Sequence, residues 1–360
     1  MPLPDPTVRA DAVDHYAALL DGGALPSDAL CATVVRGVPV DEALVRYDGF
    51  ADGREAALAV AGETSVTAFP DRLPLVVADH LDGWTVLVED NGFHGSRPGV
   101  LARLSAGTVA ASAYWNVDFD SLLSLARDGR VLAATEFTDG RPAGDGGMAP
   151  YLDGLDFSDA HRMCAVALAF LERVSGVRLP ADWSTRVRPA SVVVDPDEFV
   201  VDSGWLSLNA PALLAAGRTT SRASAALAAT RACAAAGVDD PEVREALAAE
   251  VDPERRAALV ARAREDYRSA LVLRWERCGP IDRSQDADGD LRTPAERGYA
   301  DRSQEDGLVA RAHAVGAVAA LHADDPVDAL SSAAYNARQA DRRGWPALRD
   351  DLEAGASHLA

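Results

Sequence analysis

Two hydrophobic periods divide this chain. Near the N-terminus Ala12, Tyr16, Leu19 and Leu20 recur at helical spacing over Arg9–Leu20 and stop at Asp21-Gly22-Gly23, which predicts a helix with a glycine stop. Leu30–Val35 is a short apolar run that predicts a buried strand. Pro39-Val40-Asp41-Glu42 predicts a second helix start, with carboxylates at its positive end. A further short helix is expected over Gly53–Ala61. The period then becomes two. Leu75–Leu81 and Trp84–Glu89 flank Asp82-Gly83, a two-residue hairpin signal. Pro98–Leu104 predicts a short helix, after which Val109, Ala111, Ala113, Trp115 and Val117 alternate as the core side of a strand. Ser121–Ala126 and Arg130–Thr138, joined by Arg127-Asp128-Gly129, extend an antiparallel meander.

Thr138–Met148, rich in Gly, Asp and Pro, reads as a loop, and Ser158–Ser175 as a helix with Ser158 as its N-cap. Ser191–Val194 is a short apolar run, and Phe199–Leu208 suggests one more strand or strand pair. These elements predict an α+β domain over residues 10–200, with a mostly antiparallel sheet of five or six strands and a disordered arm at 1–9. The boundary falls between 190 and 210. Beyond it the pattern is helical. Asp240-Pro241-Glu242, Asp252-Pro253-Glu254 and Asp325-Pro326 each offer an Asp N-cap with Pro in the first turn, so residues 201–360 read as an all-α domain. Gly279–Gly298 reads as an exposed loop within it.

Composition narrows the chemistry. A chain of 360 residues is long enough for two cores. The longest alanine-rich run, Ala223–Gly237, carries Arg231 and is too short for a bilayer. The first residues lack the basic and apolar regions of a secretory signal, so a cytoplasmic protein is expected. Cys31, Cys164, Cys233 and Cys278 are far apart, which predicts reduced thiols and neither a disulfide framework nor a zinc site. All 35 basic residues are arginine, and Ile281 is the sole isoleucine, a bias that fits a GC-rich bacterial genome. Without lysine, Schiff-base catalysis and a Walker-type phosphate lysine are excluded within this chain. A formal charge of −21 disfavours nucleic acid and membrane surfaces and suits a basic protein partner.

One combination of segments is more specific than any single motif. It runs through Leu30-Cys31-x-Thr33-x-Val35-Arg36-Gly37, Gly83-Trp84-Thr85-Val86-Leu87-Val88-Glu89-x-Asn91-Gly92 and Gly95-Ser96-Arg97-Pro98. It continues with Leu104-Ser105-x-Gly107-Thr108 and Tyr114-Trp115-Asn116-Val117. Over about residues 10–185 it resembles an actinobacterial family of unknown function. The resemblance implies an α+β domain and carries no activity, cofactor or catalytic residue with it.

The most informative local feature is the loop Glu89-Asp90-Asn91-Gly92-Phe93-His94-Gly95-Ser96-Arg97-Pro98, between a strand and a helix. Ser96 as a cap, Pro98 in the first turn, free amides and Arg97 together suit a carboxylate or phosphate. The plainer reading is a turn at Asn91-Gly92, a capping Ser96, and Arg97 paired with Glu89 or Asp90. Tyr114 and Asn116 point away from the apolar side of their strand and could line the same site. Asp79, His80, His94 and Ser96 do not form a supported Ser-His-Asp triad, because no Gly-x-Ser-x-Gly elbow is present. The histidines read as surface or cap residues. Asp286–Glu296 resembles the start of an EF-hand loop but has Leu291 where glycine is required and Arg297 where the closing glutamate belongs. His313 and His322 do not share a helix face. No metal and no cofactor are therefore expected.

The leading expectation is a non-enzymatic interaction or regulatory protein presenting a sheet edge or the loop Asn91–Arg97, with an immunity-like or conflict-system role suggested by acidity alone. The alternative is a small-molecule or anion-binding domain, enzymatic or not, built on Glu89, Asn91, Ser96, Arg97, Tyr114 and Asn116.

Overall fold

The computed structural model of the chain describes residues 1–137, 147–214, 217–279 and 302–359. The acidic stretch 286–296, the loop expected at 138–148 except for its last two residues, and nearly all of the loop expected at 279–298 lie outside the described residues. The chain forms two compact units, one built mainly of Met1–Val193 and the other of Val194–Arg277 with the described residues from Arg302 onward.

In the N-terminal unit α1 (Ala12–Asp21) precedes β1 (Leu30–Arg36), α2 (Val40–Arg46), β2 (Glu55–Ala56) and α3 (Leu58–Thr67). Then follow β3 (Leu75–Leu81), β4 (Trp84–Asp90), a 3-10 turn (His94–Ser96), α4 (Pro98–Leu104), β5 (Val109–Trp115), β6 (Ser121–Arg127) and β7 (Arg130–Thr135). α5 (Ala149–Leu152), α6 (Met163–Ser175) and β8 (Arg188–Val192) complete it. Eight strands form one sheet in the order β2-β8-β3-β4-β1-β5-β6-β7, every pair antiparallel. The hairpins β3–β4 and β6–β7 turn on Asp82-Gly83 and Asp128-Gly129. Both residues of each turn have positive φ (48° and 79°, 50° and 79°), as a twist-matched two-residue hairpin requires.

β1 is the organising strand. It lies between β4 and β5, with Leu30 opposite Asp90 on one side and Trp115 on the other. Its first six residues are all buried, so both sheet faces are covered there. On one face Val35, Leu87, Ala110 and Ala126 join Leu44 of α2 and Leu101 and Leu104 of α4 in a single cluster. On the opposite face Leu30, Ala32, Val34, Val86, Val88, Ala111, Ala113 and Trp115 are equally buried. There α6 packs on β1 and β5, α3 packs on β3 and β4, and α1 packs on α6.

Several expectations are corrected. The sheet has eight strands where five or six were expected, because the two residues of β2 and the Pro189-bearing β8 carry too little alternation to be legible. Phe199–Leu208 is not extended: Asp202 accepts from the amide of Gly204 at 2.8 Å and starts a helix instead. Ser158 does not cap α6, which begins at Met163 without a side-chain cap. Residues 1–9, expected as a disordered arm, lie against the unit. The Thr7 amide donates to the Arg173 carbonyl at 2.9 Å, and Arg9 reaches Glu172 at 2.8 Å. Glu172 is fully buried and is also held by Arg178, which forks on to Asp11, so its charge is compensated by two guanidiniums.

The C-terminal unit is helical throughout its described residues: α7 (Ser203–Asn209), α8 (Pro211–Leu214), α9 (Gly217–Ala236), α10 (Pro241–Ala248), α11 (Pro253–Cys278), α12 (Ser303–Leu321), α13 (Pro326–Ala340) and α14 (Trp345–Leu359). A short Pro196–Phe199 turn precedes them. α9, α12 and α13 pack on one another through small residues such as Ala228, Ala232, Ala317, Ala333 and Ala337, which let the helix axes approach. Asp325 caps α13 by accepting from the amide of Val327 at 2.7 Å, whereas Asp240 makes no side-chain cap bond and pairs with Arg262 at 2.6 Å. Among the described residues no helix is long and apolar enough to cross a membrane.

One buried carboxyl offers a test of the packing under α3. A Cβ at Gly62 of α3 would lie 1.8 Å from Asp90 Oδ2, so that carboxyl fills the space against the helix. Burial pushes it up from 3.8 to about 6. Its folded value is the higher one, so the folded chain favours the neutral acid. The penalty is absent at low pH and sets in as pH rises through this interval. Asp90→Asn is expected to stabilise the chain by about 1–2 kcal/mol at neutral pH, allowing for the solvent that still reaches the group, and by almost nothing near pH 3. Urea denaturation at the two pH values checks this; equal effects at both would contradict it.

Candidate functional site

A row of polar residues crosses the middle of the sheet on the face that also carries Val35 and Leu87. Cys31 of β1 lies between Glu89 of β4 and Tyr114 of β5. One step along, Thr33 lies between Leu87 and Ser112, and Ser112 is opposite Ser124 of β6. Glu89 is 2% exposed and Cys31, Thr33, Ser112 and Ser124 are wholly buried. The hydroxyls of Ser112 and Ser124 have no hydrogen-bond partner among the described residues.

The segment 91–97 closes over this row because glycine stands where the backbone comes closest. Asn91 turns the chain at φ 56°. A Cβ at Gly92 would lie 2.6 Å from the Glu89 side chain. One at Gly95 would lie 2.1 Å from Thr33 Oγ1 and 2.3 Å from the Tyr47 hydroxyl. In that position the Gly95 amide donates to Glu89 Oε2 at 3.2 Å, and the Tyr47 hydroxyl donates to the same oxygen at 2.9 Å. His94, beside them, places Nε2 2.9 Å from Asp48 Oδ2, which also accepts from Arg103. Asp48 itself sits at φ 64°, immediately after Tyr47.

Burial pushes the Glu89 carboxyl up, opposed by His94, the Tyr47 hydroxyl and the Gly95 amide. Burial and then Glu89 push the Cys31 thiol and the Tyr47 phenol well up as well. The thiol and the phenol therefore favour their protonated forms, and neither is prepared as a nucleophile or base. The arrangement is a closed polar core that fastens a loop to a sheet. Among the described residues no group of His, Cys, Asp and Glu is placed to hold a metal ion.

The six predicted site residues separate into different roles. Glu89 occupies the amide of Gly95 that an anion would have needed. Ser96 is buried, and its hydroxyl donates to the Phe93 carbonyl at 2.7 Å, so it does not cap α4; the N-cap position belongs to Arg97, without a side-chain cap bond. Arg97 is half-exposed and already engaged within the protein. Asn91 is exposed and its amide donates to the Ala29 carbonyl at 3.3 Å. Asn116 is spent on its own turn. Its Oδ1 accepts from the amides of Asp118 and Asp120 at 3.0 and 2.9 Å, and its Nδ2 donates to Asp120 Oδ2 at 3.0 Å. Tyr114 is half-buried and meets the Phe93 ring edge-on at 6.3 Å. Glu89 and Tyr114 thus flank Cys31, and Ser96 lies in the turn above, while Asn116 stands at the end of the strand.

The histidine expectation is corrected at His94, which is buried against Asp48 because the Gly95 contact draws its turn onto the sheet. The triad residues each have separate partners: Asp79 pairs with Arg188 at 2.6 Å, and His80 Nδ1 lies 3.2 Å from Thr85 Oγ1. Sequence reasoning missed Tyr47, Asp48 and Arg103. Their signal is weak, because they follow or lie within short helices, and Tyr47 meets Glu89, Asp48 meets His94 and Arg103 meets Asp48 only through the fold. The polar positions Thr33, Ser112 and Ser124 on otherwise apolar strands were the legible clue that a buried polar patch existed.

Tyr47→Phe is expected to cost about 1–3 kcal/mol by leaving a buried carboxyl short of one donor. Gly95→Ala is expected to cost about as much through overpacking against Thr33 and Tyr47. The double variant should cost less than the sum, since Tyr47→Phe removes one of the two clashes. A double-mutant cycle by urea denaturation measures this, and strict additivity would contradict the shared contact.

Comparison with known proteins supplies one relationship. No curated protein and no solved structure matches the chain. Residues 16–187, which run from within α1 to the residue before β8 and hold all of the polar core just described, match the model of a family of unknown function, DUF6461.

Proposed function

We propose that the N-terminal unit is a non-enzymatic binding module that takes an arginine- or lysine-bearing protein segment at the end of β5. There Phe93, Tyr114, Val117 and Phe119 stand among Asp118 and Asp120. The observation that carries this reading is Phe119, 71% exposed and held at φ 66°. A bulky residue in the left-handed region is strained, and strain of about 1–3 kcal/mol persists only where the surroundings impose it. Here the three side-chain hydrogen bonds of Asn116 impose it, and the result is an aromatic ring displayed to solvent.

The neighbours supply matching chemistry. Val117 is 65% and Phe93 48% exposed, and the Phe93 ring meets Tyr114 at the end of β5. Burial and the negative charges of Asp120 and Asp118 push the Tyr114 phenol up, so ring and carboxylates share one field. Aromatic faces and carboxylates together favour a cation, each exposed cation–π contact adding about 0.5–1 kcal/mol. Aromatic anchors are the residue type that dominates binding energy at protein interfaces. The charge of −21 adds long-range attraction for a basic partner and makes association weaken with salt.

The full-length chain, immobilised and exposed to native lysate, is expected to retain a basic protein that elutes with salt. Phe119→Gly is expected to weaken that retention at least about tenfold, the equivalent of 1.4 kcal/mol. The same change leaves stability unchanged or raises it by up to about 1 kcal/mol, because glycine accepts the left-handed backbone. Retention unaffected by Phe119→Gly would overturn the proposal, and a loss of stability would show that the ring serves the fold instead.

A further inference from the structure

In the C-terminal unit a cavity of about 180 Å³ opens between the Pro196–Phe199 turn and α11, α12 and α13. Its walls are apolar, formed by Phe199, Val200, Val260, Ala319 and Ala320. The Phe199 wall is firmly held. A Cβ at Gly316 would lie 2.7 Å from the Phe199 ring, so the α12 backbone packs directly against it. His313 and Tyr267 meet the ring edge-on at 5.3 and 5.9 Å, and Asn336 donates to the Phe199 carbonyl at 2.7 Å. The cavity is thus preformed, as small-molecule sites usually are.

Three polar side chains also line it: Ser332, Arg256 and Asp328. The Ser332 hydroxyl is saturated, accepting from the Val201 amide at 3.0 Å and donating to the Val201 carbonyl at 3.1 Å. Arg256 and Asp328 differ. Neither side chain has a hydrogen-bond or ion-pair partner among the described residues. Two opposite charges therefore face one apolar volume without neutralising each other. The volume equals that of about six liquid waters, enough for an aliphatic group of roughly four carbons with its polar head at the rim.

We infer that this cavity binds a free aliphatic α-amino acid. The Arg256 guanidinium takes the carboxylate, for which its planar fork is suited, and Asp328 takes the ammonium. The side chain lies against Phe199, Val260 and Ala319. A simple carboxylate would leave Asp328 unanswered and a simple amine would leave Arg256 unanswered, so the charge pair selects the zwitterion. This site is independent of the partner surface proposed for the N-terminal unit.

Calorimetric titration of the full-length chain with L-leucine, isovalerate and isopentylamine tests the inference. Leucine is expected to bind, with each analogue at least about tenfold weaker. Arg256→Gln and Asp328→Asn should each weaken leucine binding at least about tenfold, and Ala320→Leu should abolish it by filling the cavity. The two charge variants sit at the rim, and unchanged melting curves would show that they remain folded. The inference is overturned if neither leucine nor valine binds at about 10 mM, well above a millimolar Kd. It is also overturned if isovalerate or isopentylamine matches leucine, or if either charge variant in folded form binds leucine like the parent chain.

Discussion

A carboxyl group buried at the centre of a sheet constrains the N-terminal unit more than any other feature. Glu89 cannot be hydrated where it lies, so it must be answered by protein donors, and those available are the Tyr47 hydroxyl and the Gly95 amide. Satisfying it draws the 91–97 segment down onto β1 and β5. That descent is possible only with glycine at 92 and 95. Once the turn is down, His94 meets Asp48, Arg103 closes the same carboxylate from α4, and Phe93 is left on the outside against Tyr114. The position of an exposed aromatic is thus a consequence of a buried acid.

Much of this architecture was readable from the chain. The Asp82-Gly83 and Asp128-Gly129 turns, the odd-numbered apolar side of β5 and the central run of β1 are local signals, and each states its own geometry. What could not be read is of two kinds. β2 and β8 are too short, and in one case interrupted by proline, to show a period. The partners of Glu89 depend on β1 running between β4 and β5, and nothing near residue 47 announces that its phenol will meet residue 89. The loop itself was read as a place where amides would be free. The sequence contained the acid that takes one of them, only six positions before Gly95, but its direction is set by the register of β4 and was not available in advance.

The turn at Asn116–Asp120 shows the opposite economy. Asn116 uses its whole side chain to fix five residues, and the fixed conformation forces Phe119 into a backbone region that suits glycine or asparagine. A fold selected for stability alone would place one of those residues at 119. The proposed contact gives the exposed ring a physical reason: the energy lost in the free protein would be recovered when the ring is covered. The acidic residues on either side then determine what can cover it.

The closed centre and the open rim together locate where function can reside. Glu89, Cys31, Tyr47, Asp48 and His94 are all buried, and the hydrogen bonds that hold the turn to the sheet are the ones a reaction there would have to break. Using that core for chemistry would therefore mean unfolding it. The two proposals rest on groups that lie elsewhere: the exposed Phe119 turn in one unit, and Arg256 with Asp328 in the other. The family match ends at residue 187, so it covers the first and stops short of the second. The turn that displays Phe119 therefore lies within the matched stretch, and the cavity of the helical unit lies outside it.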